Sequence, residues 1–205
     1  MSKPNLILIG AGGHARACID VIEHQGQYQI IGLVGLAKEI HSQHQGYEVI
    51  ATDYELPQLA KFTSYALITN GQIKTAKIRM NLYQYALQCG FKMPVIVAPT
   101  AYVSRHAKVG AGSIVMHGAI INAGVMIGDN CIINSHALIE HDTTVESHCH
   151  ISTGAILNGG VRVGACSFIG SGCVVKEGTS IGKDCLLGMG VIVRHSLEDS
   201  TRFSG

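Results

Sequence analysis

The sequence has no tryptophan, and charged residues fill only 14% of its 205 positions. So little charge excludes the strongly charged compositions of disordered chains. Lys and Arg number 15 against 14 Asp and Glu. There is therefore no basic footprint for nucleic acid, and no run of like charges that would mark a tail. Long apolar runs are missing as well. The first, residues 6–9, is too short for a signal-peptide core and ends in glycines, and no window approaches a membrane-spanning length. The seven cysteines are an odd number without CxxC spacing, which argues against a disulfide or zinc framework. What is left is a soluble chain, expected in the cytoplasm, with one large domain or two small ones.

Glycine, by contrast, is plentiful at 25 residues, and the first cluster of it carries a signal. Residues 3–9 (KPNLILI) form an apolar run, followed by GAGGHA and an amphipathic stretch to about Gln25. That order is strand, glycine turn, helix. Gly10, Gly12 and Ala15 fit the GxGxxG/A spacing, in which amides at a helix N-terminus cradle phosphate. Nicotinamide binding also wants an acid at the end of the next strand. That strand, residues 29–34, runs into Gly35-Leu36 with no acid before Glu39, so the pattern speaks for phosphate binding and against NAD. His14 at the turn is either a solvent-facing helix residue or a donor to a nucleotide. Another strand, 65–69, leads to the Asn70-Gly71 turn, a helix is expected over 75–89, and a last strand, 93–97, closes a small parallel sheet.

At Val97 the period changes. An aliphatic residue recurs every six positions from Val97 and Val103 through to Val193, without a gap. Four positions after each comes a small or modest side chain, such as Ala101, Ser113, Cys131 or Ala155. Unbroken hexads of this kind specify a parallel β-helix. Three hexads make one triangular coil of 18 residues, and coils stack at the strand spacing of ~4.8 Å. The aliphatic positions fill the prism and the small ones fit its corners. Cys131, Cys149, Cys173 and Cys185 fall in the small-residue slot, which makes them packing rather than ligands; no cysteine reads as a nucleophile.

The register converts sequence offsets into neighbours. His141 sits two past an aliphatic slot, at a turn, between Glu140 and Asp142. One coil later the same corner carries Gly159 and one coil earlier Ala123. Asp142 can take the proton of one ring nitrogen and leave the other basic, which suits proton transfer near neutral pH. The amide of Gly159 is a candidate for a developing oxyanion. A solvated corner histidine is the plain alternative. Zinc is another, since His136 and His141 are spaced HxxxxH with His148 and His150 near. The gamma-class carbonic anhydrases hold zinc on such a prism between subunits. That site needs three imidazoles, yet the positions one and two coils before His136 are Gly118 and Thr100.

Strand–GAGGHA–helix followed by hexads carrying NSHALIEHD and HISTGAILNGG resembles the bacterial nucleotide-sugar acetyltransferases with a left-handed β-helix. The nearest group is the UDP-4-amino-sugar N-acetyltransferases, beside the sialic-acid-pathway O-acetyltransferases. The resemblance implies a Rossmann-like nucleotide-sugar-binding domain over residues 1–96 and a left-handed β-helix acyltransferase domain over 97–205. It implies acetyl-CoA as co-substrate, no metal, and a homotrimer with sites at subunit boundaries. The expected substrate is a nucleotide-linked amino sugar such as a UDP-4-amino-4,6-dideoxy sugar, with sugar O-acetylation as the alternative. By that likeness His141 is the general base and Asp142 its partner. Gly12, Gly13 and His14 match the nucleotide-binding turn, and Asn134 a contact to the amino sugar. His150, Ser171 and Met189, with Gly159, match positions facing acetyl-CoA. Two departures stand out: the family's acids after the second strand are replaced by Gly35-Leu36, and its glycine after the third strand by Thr69.

Overall fold

The computed structural model describes residues 2–205. Five strands form the first sheet: Asn5–Ile9 (β1), Gln29–Val34 (β2), Gln43–His44 (β3), Tyr47–Ala51 (β4) and Tyr65–Ile68 (β5). Their order in space is β3-β4-β2-β1-β5, parallel apart from the β3–β4 hairpin. Helices Gly13–Gln25 (α1), Leu56–Leu59 (α2) and Lys77–Gln88 (α3) accompany them. The central strand β1 reads as an unbroken apolar run because helices cover both of its faces; Leu6 and Leu8 pack on α1, while Ile7 and Ile9 pack towards α2 and α3. Gly26 ends α1 in the left-handed region at φ 68°, its N–H returning to Ile22 O at 2.9 Å.

Two details differ from the sequence expectation. The β3–β4 hairpin has no counterpart in it, and the strand expected over 93–97 does not close the small sheet. Only Lys92 bridges to Tyr65, while Ile96–Val97 pairs with Ile114–Val115 in the β-helix. Pro94, which lacks an N–H, sits between these two pairings and interrupts them.

From Ile96–Val97 onward, two-residue strands recur every six residues and pair across eighteen, as Ile120–Ile121 does with Tyr102–Val103 and Leu138–Ile139. They form three parallel sheets of seven, six and five strands, the faces of a left-handed prism. The second residue of each strand points inward, and the four register cysteines are buried with them in one core. The seven-stranded face is the docked face. There α1 lays Ala15, Cys18, Ile19 and Ile22 against Ile96, Ile114 and Ile132. The six-stranded face is apolar outside, and the five-stranded face is polar apart from Met126.

From Gly112 to Gly190 each prism corner has a residue with positive φ, most often glycine. Through one coil and into the next, four successive corners carry side chains: Asn130, His136, Asp142 and His148, with φ between 54° and 63°. Asn, Asp and His tolerate this region better than most residues, yet each still costs about 1 kcal/mol or more against glycine. That coil holds the catalytic candidate.

Candidate functional site

His141 stands on the corner between the apolar and polar faces, with a side chain 66% exposed. Its Nδ1 lies 2.9 Å from Asp142 Oδ2. A carboxylate only accepts, so Nδ1 carries the hydrogen and Nε2 presents a lone pair. The bond to Asp142 raises the histidine above its ordinary 6.5, with the charges of Asp142 and Glu140 adding to it. Gly159 has a sharper role than an empty space beside the ring. A Cβ there would stand 2.7 Å from both Cε1 and Nε2. The Cε1–Nε2 edge of the imidazole lies against this glycine, and a side chain there would collide with it.

The glycine turn forms a second cluster. Gly10, at φ 118°, has no room for a side chain because Asn70 fills it. Thr69, buried in the place of the family's glycine, donates its hydroxyl to Gly10 O at 2.6 Å and holds the turn to β5. A Cβ on Gly12 or Gly13 would meet no atom within 4 Å, and no side chain caps α1. The free N–H groups of its first turn are open to an anion. His14 does not face solvent. Its Nε2 is buried without a partner among the described residues, and burial, with Arg79 and His150 nearby, pushes its pKa down to about 3.

His14 meets the docked face beside His150, ring centroids 6.4 Å apart. His150 is buried, its Nδ1 2.6 Å from the main-chain oxygen of Gln72 and its Nε2 3.1 Å from Asn134 Nδ2. A carbonyl can only accept, so Nδ1 is the donor, Nε2 the acceptor, and Asn134 turns its NH2 towards the ring. Burial lowers His150 to about 4, which keeps it neutral. Asn134 Oδ1 accepts the Ser135 N–H at 2.8 Å, leaving one amide hydrogen of Asn134 uncommitted. Both ring nitrogens of His150 are engaged, so in this arrangement Asn134 is the partner able to offer a hydrogen to a ligand. Ser171 and Met189 are exposed, one coil apart, on the corner between docked and apolar faces.

Sequence reasoning missed what holds this second cluster. Gln72 donates through Nε2 to His148 O at 2.9 Å while its main chain fixes His150. Arg79, fully buried in α3, donates to Ile68 O, Asn70 O and Asn130 O. Helical spacing alone could have flagged Arg79, since it shares the inward face of α3 with Tyr83 and Ala86. Nothing local marks Gln72.

His14, Asn134 and His150 thus gather on the docked side, flanked by Ser171 and Met189, while His141, Asp142 and Gly159 occupy the opposite corner. One hexad, at most about 20 Å of chain, separates the two corners. Among the described residues no group of three or more His, Cys, Asp or Glu is placed to hold a metal ion.

An N-terminal parallel sheet with an anion-ready glycine turn, joined to a hexapeptide prism with an exposed His–Asp pair, defines a hexapeptide-repeat acyltransferase. Residues 5–85 match the PglD N-terminal domain family, 106–141 the bacterial transferase hexapeptide and 160–194 the hexapeptide repeat of succinyl-transferase. PerB from Caulobacter crescentus, solved with CoA and GDP-perosamine, is 33% identical over 97% of this chain and 93% of its own, TM-score 0.90. The acetyltransferase domain of PglB from Neisseria gonorrhoeae FA1090, solved with acetyl coenzyme A, is 32% identical over 97% and 95%, TM-score 0.89. WeeI from Acinetobacter baumannii AYE shares the fold at 20% identity over 95% and 94%, TM-score 0.81. Comparison with curated proteins gives no match. The chain belongs to the nucleotide-sugar N-acetyltransferases of the left-handed β-helix family.

Proposed function

We propose that the chain moves the acetyl group of acetyl-CoA to the amine of a nucleotide-linked amino sugar, with His141 as general base. The carrying observation is the exposed imidazole of His141, tied at Nδ1 and open at Nε2, on the scaffold of N-acetyltransferases. The amine attacks the thioester carbonyl, Nε2 takes the proton the amine loses, the C–S bond breaks, and the thiolate recovers that proton. Asp142 orients the ring and stabilises the imidazolium. The diphosphate lies on the open amides at Gly12, Gly13 and His14. The sugar is expected to be a 4-amino-4,6-dideoxy sugar. Asn134 is assigned to the amino sugar, and His150, Gly159, Ser171 and Met189 to the environment of acetyl-CoA, His150 acting by fixing Asn134.

The placement of the two clusters supports a homotrimer. The outward residues of the apolar face include Tyr102, Ile120 and Ile192, exposed at 57, 40 and 51%, with Leu138, Ile156 and Val174 between them. A stripe of that extent favours burial against a second copy. Cyclic assembly brings the His141 corner of one copy to the docked side of the next. Among the described residues no helix is long and apolar enough to cross a membrane. Seven free cysteines and the use of acetyl-CoA fit a cytoplasmic setting.

The test is release of CoA thiol with a panel of UDP- and GDP-linked 2-amino and 4-amino sugars, using the wild type and Gly12→Asp. A Cβ at Gly12 meets no atom within 4 Å and aspartate suits a helix N-cap, so the fold should be kept while the diphosphate is repelled. The KM for the nucleotide sugar should rise at least about tenfold, with that for acetyl-CoA unchanged. Absence of acetyl transfer to every sugar of the panel would overturn the proposal.

A further inference from the structure

A nucleotide held on the Gly12–Gly13 amides places its ribose near the carboxyl end of β2, where open parallel sheets carry an acid for the ribose hydroxyls. Gly35 and Leu36, which follow β2 directly, supply none. The chain provides a carboxylate from further on. After Leu36 it passes through a short 3₁₀ turn, Ala37–Glu39, closed by Glu39 N–H to Leu36 O at 2.8 Å. The turn swings the Glu39 side chain back over the end of the strand.

There, Glu39 Oε2 accepts the Leu36 N–H at 2.8 Å. It also lies 3.0 Å from where a Cβ on Gly35 would stand, and that same point is 3.2 Å from Cβ of Ala11, inside the glycine turn. Gly35 leaves a gap between β2 and the turn, and the Glu39 carboxylate occupies it. A larger residue at 35 would exclude it. One oxygen is engaged by Leu36, and Oε1 has no hydrogen-bond partner among the described residues. Leu36 beside it is 60% exposed, an apolar surface next to the free oxygen.

We propose that Glu39 is a specificity residue of the nucleotide site: its free oxygen accepts the ribose 2′-hydroxyl, so the chain selects ribonucleoside over deoxyribonucleoside diphosphates. The proposal rests on the reading of the glycine turn as the nucleotide site. The competing role is purely structural, a cap on the 3₁₀ turn. Glu39→Gln separates the two, because its amide oxygen still accepts the Leu36 N–H while the free end becomes an uncharged NH2.

Calorimetric titration of the full chain with GDP, 2′-deoxy-GDP, UDP and 2′-deoxy-UDP tests this without any acetyl transfer. The wild type should bind the better of the two ribonucleotides about tenfold or more tighter than its deoxy form, as expected of a hydroxyl donating to a carboxylate. In Glu39→Gln the preference should shrink below about threefold, with deoxynucleotide affinity and melting temperature unchanged. Equal binding of the ribo and deoxy forms by the wild type, or a preference that survives Glu39→Gln, overturns the role of Glu39 and leaves the nucleotide site standing. If neither GDP nor UDP binds, the nucleotide site itself is wrong and Glu39 falls with it.

Discussion

His141 is held by contacts so short that single atoms test its role. Gly159 has an ordinary backbone conformation, so alanine there strains nothing in the main chain; its only effect is a methyl 2.7 Å from Cε1 and Nε2. The ring must move by about an ångström, and a displacement of that size can cost about 10²-fold in rate. Gly159→Ala should therefore lower kcat by about that factor with an unchanged melting curve. Wild-type kcat in that variant would show that the ring is free to sit elsewhere. The Asp142 bond predicts a pH signature. A base must be neutral to act, and His141 is raised above 6.5, so the ascending limb of rate against pH should lie above 6.5 in the wild type. Asp142→Asn removes the largest cause of the rise and should move the limb to lower pH while reducing kcat less than His141→Ala, which should cost about 10²–10⁴-fold. An unmoved limb would assign it to the sugar amine instead.

The elements that join sheet to prism carry a different consequence. His14 and His150 are neutral in the folded chain, with pKa values of about 3 and about 4, against 6.5 when exposed. As pH falls below 6.5 the unfolded chain takes up protons that the folded one refuses, so stability falls progressively towards pH 4. Above 6.5 the contribution is complete. Melting temperature should decline over that window, less steeply in His14→Gln, and a flat profile would contradict the burial of these rings. Arg79→Met leaves the carbonyls of Ile68, Asn70 and Asn130 without their donor, and one to three kcal/mol for each unsatisfied buried group gives a loss of roughly 3 kcal/mol or more. Neither this junction nor the return of Glu39 was legible in the sequence, because both depend on where segments dock. The prism was legible almost residue by residue. Its hexads fix which side chains point inward and which share a corner, which is how His141 and Gly159 could be paired across eighteen positions. The β3–β4 hairpin escaped because two-residue β3 is too short to show alternation.

At the level of the assembly, the separation of the two clusters decides the account. His141 and its glycine stand on the corner opposite the docked face, so one chain alone offers the proposed base away from the proposed nucleotide site. In the proposed trimer, the stripe from Tyr102 to Ile192 is the surface through which copies would join these halves. Subunit complementation measures this directly. His141→Ala lacks the base, and Gly12→Asp lacks the nucleotide cradle; each alone should be nearly inactive at low substrate. Mixed in equal amounts and allowed to exchange subunits, they should regain about a quarter of wild-type activity, since half of all corners keep His141 and half of the neighbouring docked faces keep Gly12 in a closed ring. No recovery in mixed trimers verified by mass would contradict the account, because it would place both halves of the site in the same chain.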